Sequence, residues 1–211
     1  AASTRKIPRS FAYIYAISEY LQAARPAVLL AVLPKSNINA ILAAALARVE
    51  TRVFLGTQIF MSIRHKRGIE TGSGQFHQMI PLLRHCYSRA DGIIATSRGV
   101  AEDVIEFLDL NPDRVHLVYN PVYFPGLTKL MDEPVQHPWF MPGSAPVLVG
   151  IGRLVEQKNF PLLIEAFARV RQATDARLVI IGGDDASSDQ CAHRQQLQAL
   201  AVGLGVGDDV D

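Results

Sequence analysis

The sequence predicts an α/β protein built from parallel βαβ units. Three observations support this fold class: short apolar segments recur along the chain, glycine turns end several of them, and segments with a helical apolar period lie between them. The clearest unit is the range 146–185, which reads as strand, glycine turn, helix, strand and glycine turn. A chain of 211 residues is long enough for two small domains, each with its own core.

Both strands of this unit are predicted to be buried on both faces. Residues 147–151 and 178–181 are apolar without polar alternation, which is typical of a parallel sheet covered by helices. Asn159 is expected to cap the intervening helix, and Pro161 is tolerated in its first turn. The inner face of that helix is predicted from its apolar residues: Phe160, Leu163, Ile164, Phe167 and Val170.

Two cations flank the first glycine turn. Arg153 follows Gly152, and Lys158 comes just before the helix, whose N-terminal N–H groups attract anions. Taken singly, Lys158 could be a solvated charge and Arg153 could pair with Glu156. Together, at the ligand edge of a βαβ unit, they predict a site for a diphosphate. The second glycine turn is a candidate for the same site: Gly182 and Gly183.

The first half of the chain is predicted to consist of similar units. Strands are expected at 27–33, 51–55, 93–96 and 115–119, and helices at 11–24, 38–49, 76–89 and 100–108. The inner face of the first helix is predicted to consist of Phe11, Ile14, Tyr15, Ser18 and Leu21. Asn37 is expected to cap the second helix and Pro81 to kink the third. The loops that follow the strands are candidate ligand contacts.

The range 56–75 is predicted to be an irregular loop that ends in a glycine-rich hinge at 72–74. It carries Arg64, His65, Lys66 and Arg67 beside apolar residues. One interpretation is a mobile loop that meets an anionic or lipid-linked acceptor at a membrane surface. The other is a solvated connection, since short charge runs are common on surfaces. His65 is only a weak candidate for a general base.

Prolines punctuate the range 121–145, which predicts an interdomain linker. It separates a Rossmann-like lobe at 1–120 from a second one at 146–211. Trp139 and Phe140 are expected to pack on a domain surface rather than to stack on a sugar, because no polar groups are arranged around them.

Composition argues against several classes of function. A net charge of +1 provides no support for nucleic acid binding. Cys86 and Cys191 lack the spacing of metal ligands and suit a reducing cytosol. Asp209 and Asp211 form a D-x-D pattern, but they follow a glycine turn rather than a strand end, so no metal is predicted there.

The segment GIGRLVEQKNFPLLIEAF at 150–167, followed by LVIIGG at 178–183, resembles the donor-domain signature of GT-B-fold glycosyltransferases of family 4. In that family an Arg, and a Lys five residues later, hold the diphosphate of a nucleotide sugar. Arg153 and Lys158 match this pair. The range 90–122 resembles the end of the family's acceptor domain, and the range 26–89 does so more loosely. The resemblance implies two Rossmann-like lobes of the GT-B type.

By this resemblance, the protein is expected to transfer a sugar from a nucleotide diphosphate to a hydroxyl of a glycan or lipid-linked acceptor in polysaccharide, lipopolysaccharide or glycolipid synthesis. It is expected to need no cofactor or metal, and to be cytoplasmic with peripheral contact at the inner membrane surface. Gln58 stands where the family commonly has a His, and Gln58 and Ser97 are candidate contacts to acceptor or sugar. The preferred interpretation of Ser97 is a helix cap. The sequence identifies no catalytic residue.

The chain also departs from the family's pattern. The glycine-rich loop near the start of the acceptor domain has no counterpart, and no two Glu are separated by seven residues as in the family's acidic pair. Both lobes are therefore expected to be incomplete, and the chain to be inactive alone. Two alternatives remain open. The first is a Rossmann-type NAD-dependent oxidoreductase or epimerase, which is disfavoured because Val155 stands where a third glycine would be needed. The second is a non-catalytic fragment of a transferase.

Overall fold

A computed structural model describes residues 9–70, 75–182 and 188–211 of the chain. The chain divides between Phe124 and Pro125 into two compact units. Each unit contains a parallel sheet with helices, which confirms the predicted α/β class.

The first unit is built on a four-stranded parallel sheet with the order β1-β2-β3-β4. Its strands are β1 (Val28–Val32), β2 (Arg52–Thr57), β3 (Gly92–Ala95) and β4 (Val115–Leu117). Its helices are α1 (Arg9–Ala24), α2 (Pro34–Ala47), α3 (Met61–Glu70), α4 (Gln75–Tyr87) and α5 (Arg98–Leu108). The core lies where α2, α4 and α5 cover the sheet, and its fully buried members include Leu55, Leu83, Ile93 and Val104.

The second unit contains a two-stranded parallel sheet of β5 (Val147–Ile151) and β6 (Arg177–Ile181). Its helices are α6 (Leu127–Met131), α7 (Phe160–Arg171) and α8 (Ser188–Gly203). Near the end of the chain, Val210 forms a parallel bridge with Leu178 of β6. The core joins β6 to α7 and α8 through these buried side chains: Phe160, Ile164, Phe167, Leu178 and Leu197.

The prediction that β5 is buried on both faces is wrong, and β1 is partly exposed as well. Leu30 of β1 is 55% exposed, and Val149 of β5 is 46% exposed. Within the described part of the chain, β1 pairs only with β2, and β5 pairs only with β6. An apolar run shows that a strand can be buried on both faces. Whether it is buried depends on the strands and helices that pack against it.

The predicted inner face of α1 is correct only in part. Ser18 and Leu21 are buried as predicted, whereas the aromatic residues Phe11 and Tyr15 are exposed. The contacts of α1 are mainly with α2, and a small Ser side chain permits two helices to approach closely.

The range 56–75 is not an irregular loop, because residues 61–70 form α3. A carboxylate from α5 satisfies the N-terminus of this helix: Asp103 Oδ2 accepts hydrogen bonds from Met61 N at 2.6 Å and Ser62 N at 3.4 Å. The Ser62 hydroxyl donates to Asp103 Oδ1. A cap supplied from a distant helix leaves no local signal in the sequence. The predicted hinge at 72–74 lies outside the described residues.

Two predicted helix caps are also wrong. Asn37 lies within α2 and is fully buried, where its Nδ2 donates to Gly56 O at 3.0 Å and to Tyr87 Oη at 2.6 Å. Asn159 does precede α7, but it adopts a left-handed conformation with φ 50°, and its side chain makes no capping hydrogen bond. Pro81 lies inside α4, which continues through it from Gln75 to Tyr87.

The proline-rich range 121–145 contains α6 and a short 3₁₀ helix, Pro138–Phe140. As predicted, Trp139 packs on a domain surface, with the Arg177 guanidinium 5.0 Å above its ring, whereas Phe140 is 41% exposed. His137 Nε2 lies 3.1 Å from Asp211 Oδ2. These contacts attach residues 137–140 to the second unit.

Candidate functional site

The two glycine turns of the second unit meet at one edge of its sheet. β5 and β6 are parallel neighbours, and Gly152 N donates a hydrogen bond to Ile181 O at 2.9 Å. Gly182 lies against the first turn: a Cβ on residue 182 would stand 2.6 Å from Leu154 Cγ and 3.2 Å from Gly152 O. Only glycine fits there without movement of the turn. Gly183 lies outside the described residues.

Leu154 anchors the turn that carries the two predicted cations. Its side chain is buried in the core of the second unit, between exposed Arg153 and partly exposed Val155. Val155 N donates to Arg153 O at 2.8 Å, and Lys158 N donates to Val155 O at 2.9 Å. The turn is therefore held by its own backbone hydrogen bonds and by one buried side chain, while both cations face solvent.

The charges at this edge are not neutralised within the part of the chain that the structure describes. Arg153 and Lys158 are exposed, and neither forms an ion pair with a described residue. The alternative pairing of Arg153 with Glu156 is thus not formed. α7 begins at Phe160, two residues after Lys158, without a side-chain cap. Two cations and an uncapped helix N-terminus make this edge positive.

The candidate contacts of the first unit lie at the carboxyl ends of β2 and β3. These strands are neighbours, with Thr57 opposite Ala95, and Thr96 N donates to Thr57 O at 3.3 Å. Gln58 is exposed immediately after β2. Ser97 caps α5, because its Oγ accepts from Val100 N at 3.2 Å. The sheet brings both residues to one edge, although the cap engages the Ser97 hydroxyl.

Two residues that the sequence did not single out also shape this edge. Asp103 holds the first N–H groups of α3 and so fixes where the segment after Gln58 ends. Gly99 leaves room for the ring of Phe60, since a Cβ on residue 99 would stand 3.0 Å from Phe60 Cζ. Neither role could be recognised locally, because both partners are about forty residues away along the chain.

The first unit also contains a buried polar side chain, that of Tyr87. Burial raises the pKa of Tyr87 to about 12, although its hydrogen bond with Asn37 opposes this change. Burial also raises the pKa of the Cys86 thiol. At neutral pH both groups are therefore protonated, which makes Cys86 an unreactive core residue. The side chain of Cys191 lies outside the described residues.

Both acidic residues of the D-x-D pattern have close side-chain partners. Asp209 accepts from Arg171 Nε at 2.8 Å and lies 3.2 Å from Arg177 Nη1, while Asp211 pairs with His137. The hydrogen bond that Arg171 donates to Asp209 raises the pKa of Arg171. Within the described ranges, no group of three or more His, Cys, Asp or Glu side chains could hold a metal ion. The independence from metal stays a prediction.

Two α/β units, each with a parallel sheet, and a glycine turn with two cations in the second unit define a protein of the GT-B type. Solved structures of this type superpose on the chain. The chain belongs to the glycosyl transferase 4-like domain family, whose model matches residues 1–121. Residues 135–211 match a further model, glycosyl transferases group 1. These matches confirm the resemblance seen in the sequence.

A curated relative from Campylobacter jejuni subsp. jejuni serotype O:2 is 30% identical over 101 residues, which are 48% of this chain and 26% of the relative. Its name is N-acetylgalactosamine-N,N'-diacetylbacillosaminyl-diphospho-undecaprenol 4-alpha-N-acetylgalactosaminyltransferase. The matched residues therefore span about a quarter of the length of that relative.

Among solved structures, the lipopolysaccharide outer core galactosyltransferase WaaB is 21% identical with a TM-score of 0.61, over 96% of this chain and 48% of WaaB. The sucrose-phosphate synthase of Thermosynechococcus elongatus is 16% identical with a TM-score of 0.67, over 100% and 52%. Anabaena Alr3699/HepE, solved with UDP and glucose, is 16% identical with a TM-score of 0.64, over 92% and 50%. The chain spans about half the length of these proteins, and the likeness shows a shared fold.

Proposed function

We propose that this protein is a glycosyltransferase that moves a sugar from a nucleotide diphosphate to a hydroxyl of a glycan or lipid-linked acceptor, in polysaccharide, lipopolysaccharide or glycolipid synthesis. The observation that carries the proposal is the positive edge formed by Arg153, Lys158 and the N-terminus of α7, none of which is neutralised by a described residue. Its relatives support it: one is named as acting on a diphospho-undecaprenol glycan, and another was solved with UDP and glucose.

In the proposed reaction, the bond between the anomeric carbon and the diphosphate oxygen breaks, and a bond from the acceptor hydroxyl oxygen to that carbon forms. The acceptor proton is released, and negative charge develops on the departing diphosphate. Arg153 is suited to bidentate contact with phosphate oxygens, and Lys158 acts as a point charge. Because Leu154 and the backbone hydrogen bonds already hold the turn, little reorganisation is needed when this charge appears. We propose that no metal is required.

We place the acceptor side at the edge of the first unit that carries Gln58. Ser97 is the weaker of the two candidates, because its hydroxyl already accepts the capping hydrogen bond from Val100. We further propose a cytoplasmic protein in peripheral contact with the inner membrane surface, where a lipid-linked acceptor would be found. None of the described helices is long and apolar enough to cross a bilayer.

The donor site is tested by calorimetric titration of the chain with UDP, GDP and NAD, first without metal and then with magnesium. One nucleoside diphosphate is expected to bind without metal. The double variant Arg153→Ala/Lys158→Ala should weaken this binding about 100-fold or more, since hydrogen bonds between charged groups contribute about 1.5–3 kcal/mol each. Unchanged binding would contradict the site, and stoichiometric NAD binding would instead support an oxidoreductase or epimerase.

A matched control for this titration is Arg169→Ala/Lys129→Ala. It removes the same two charges from exposed positions of the second unit, at the last turn of α7 and on α6. We expect its affinity to stay within about threefold of the wild type, because screened charges at a distance contribute little. Transfer of labelled sugar to an acceptor would then separate an enzyme from a non-catalytic binding module.

A further inference from the structure

α3 is held against the first unit along one side. Met61, at its start, is almost fully buried and donates its N–H to Asp103 of α5. The ring of His65 stacks on His77 of α4 with 4.9 Å between the ring centroids, and lies 5.5 Å from the ring of Phe107. These contacts from two helices determine which face of α3 points to solvent.

The opposite face combines apolar and cationic side chains. Ile63 is 49% exposed and lies one turn from exposed Lys66. Ile69, near the end of the helix, is 60% exposed but lies about 120° around the helix axis from Ile63, outside this face. Arg64 lies at the border of this face, with its guanidinium 5.2 Å from the centre of the Phe76 ring. The helix carries three fixed cations and a single carboxylate, in this order: Arg64, Lys66, Arg67 and Glu70.

We infer that this face of α3 is a docking surface for a lipid bilayer with anionic headgroups. An exposed Ile flanked by cations matches such a surface in both respects, since the apolar side chain enters the headgroup region and the cations meet lipid phosphates. The excess of positive charge on the helix favours anionic lipids over zwitterionic ones.

The position of this surface connects it to the acceptor. Gln58 lies three residues before α3, in a segment bounded by buried Thr57 of β2 and by Met61 with its hydrogen bond to Asp103. A bilayer bound to α3 would therefore lie close to Gln58, where a lipid-linked hydroxyl is presented. The connection to catalysis rests on the proposed function, whereas binding to the bilayer is measured without any nucleotide.

The test is flotation of the chain with vesicles of phosphatidylcholine alone and with vesicles that contain an equal amount of phosphatidylglycerol. We expect binding to the anionic vesicles to be at least about tenfold stronger. Arg64→Glu/Lys66→Glu should lower it by about 30-fold or more, because each cation near an anionic surface contributes roughly fivefold and each replacement also introduces repulsion. Ile63→Asp, which leaves the cations in place, should lower it independently.

The matched control is Lys35→Glu/Arg52→Glu, which makes the same change in charge at exposed positions of the first unit outside α3. Circular dichroism is recorded for every variant to establish that it is folded. Equal binding to both kinds of vesicle, or equal losses in the α3 and control variants, would overturn the proposal. Loss of UDP binding by Arg153→Ala/Lys158→Ala with vesicle binding retained would show that the two surfaces act independently. If the wild type bound no nucleotide but still bound anionic vesicles, only the donor site would be refuted.

Discussion

The aliphatic chain of Lys158 lies across Gly152: a Cβ on residue 152 would stand 3.3 Å from both Cδ and Cε of Lys158. The glycine at the end of β5 thus does more than end the strand. It leaves room for the stem of a cation five residues further along the chain, so that the charge is held beside the turn.

The first prediction follows from this contact. Gly152→Ala should weaken binding of the nucleoside diphosphate about three- to tenfold, because the added methyl group displaces Lys158, with only a small change in thermal stability, since a flexible side chain can move. Calorimetric titration and thermal unfolding measure both effects. Gly203→Ala in α8 is the control, because a Cβ there meets no atom within 4 Å. A weakened affinity in the control would contradict the explanation.

The second prediction concerns the cap that Asp103 provides for α3. Asp103→Ala should destabilise the first unit by about 1–2 kcal/mol, as loss of a helix N-cap does, and should speed hydrogen exchange at Met61 and Ser62. Asp103→Asn, whose amide oxygen can still accept, should restore part of the protection. Glu106→Ala, an exposed position on the same helix, should leave exchange in α3 unchanged. Equal exchange in all three variants would mean that α3 does not depend on this cap.

The third prediction separates a structural carboxylate from a metal ligand. Asp209, whose side chain is 15% exposed, pairs with Arg171 and Arg177, whereas Asp175, 90% exposed, pairs only with Arg171. Asp209→Ala should lower the free energy of unfolding by about 1–3 kcal/mol, because it leaves two guanidinium groups without their shared partner. Asp175→Ala should change it by less than about 0.5 kcal/mol. Urea unfolding measures the difference, and magnesium should not alter either result.

The fourth prediction concerns pH. The pKa of Tyr87 is about 12 in the folded chain, against 10.0 for an unperturbed tyrosine. Below pH 10 the phenol is protonated in both states, so its contribution to stability is fully present. As pH rises above 10, the unfolded chain loses this proton first, and the contribution falls by about 1.4 kcal/mol per pH unit until the folded pKa is reached.

Tyr87→Phe tests this linkage, because phenylalanine does not titrate. The variant is expected to be less stable than the wild type at neutral pH, since Asn37 loses a hydrogen-bond partner. Between pH 10 and about 12 the difference in unfolding free energy should shrink. A difference that is independent of pH across that range would contradict a raised pKa.

Much of the second unit could be predicted from local patterns. The strand, turn, helix and strand from Val147 to Ile181 follow from the apolar period and from the glycines, because these signals depend on residues close together in sequence. Ser97 as a cap of α5 was recognisable for the same reason. The caps assigned to Asn37 and Asn159 were wrong, although asparagine is a residue type that suits a cap. Asn37 is instead buried, and Asn159 has a left-handed backbone.

The sequence by itself determined the α/β class, the family, and the pattern of Gly152, Arg153 and Lys158 on which the proposed donor site depends. All three follow from the order and spacing of residues that are close together in the chain. Only the tertiary structure decided that residues 61–70 are a helix with an outward cationic face, that Gly182 meets Leu154, and that β1 and β5 stay partly exposed. The physical reason is that capping, close packing and burial each depend on groups far apart in the chain, which meet only when the sheets and helices assemble.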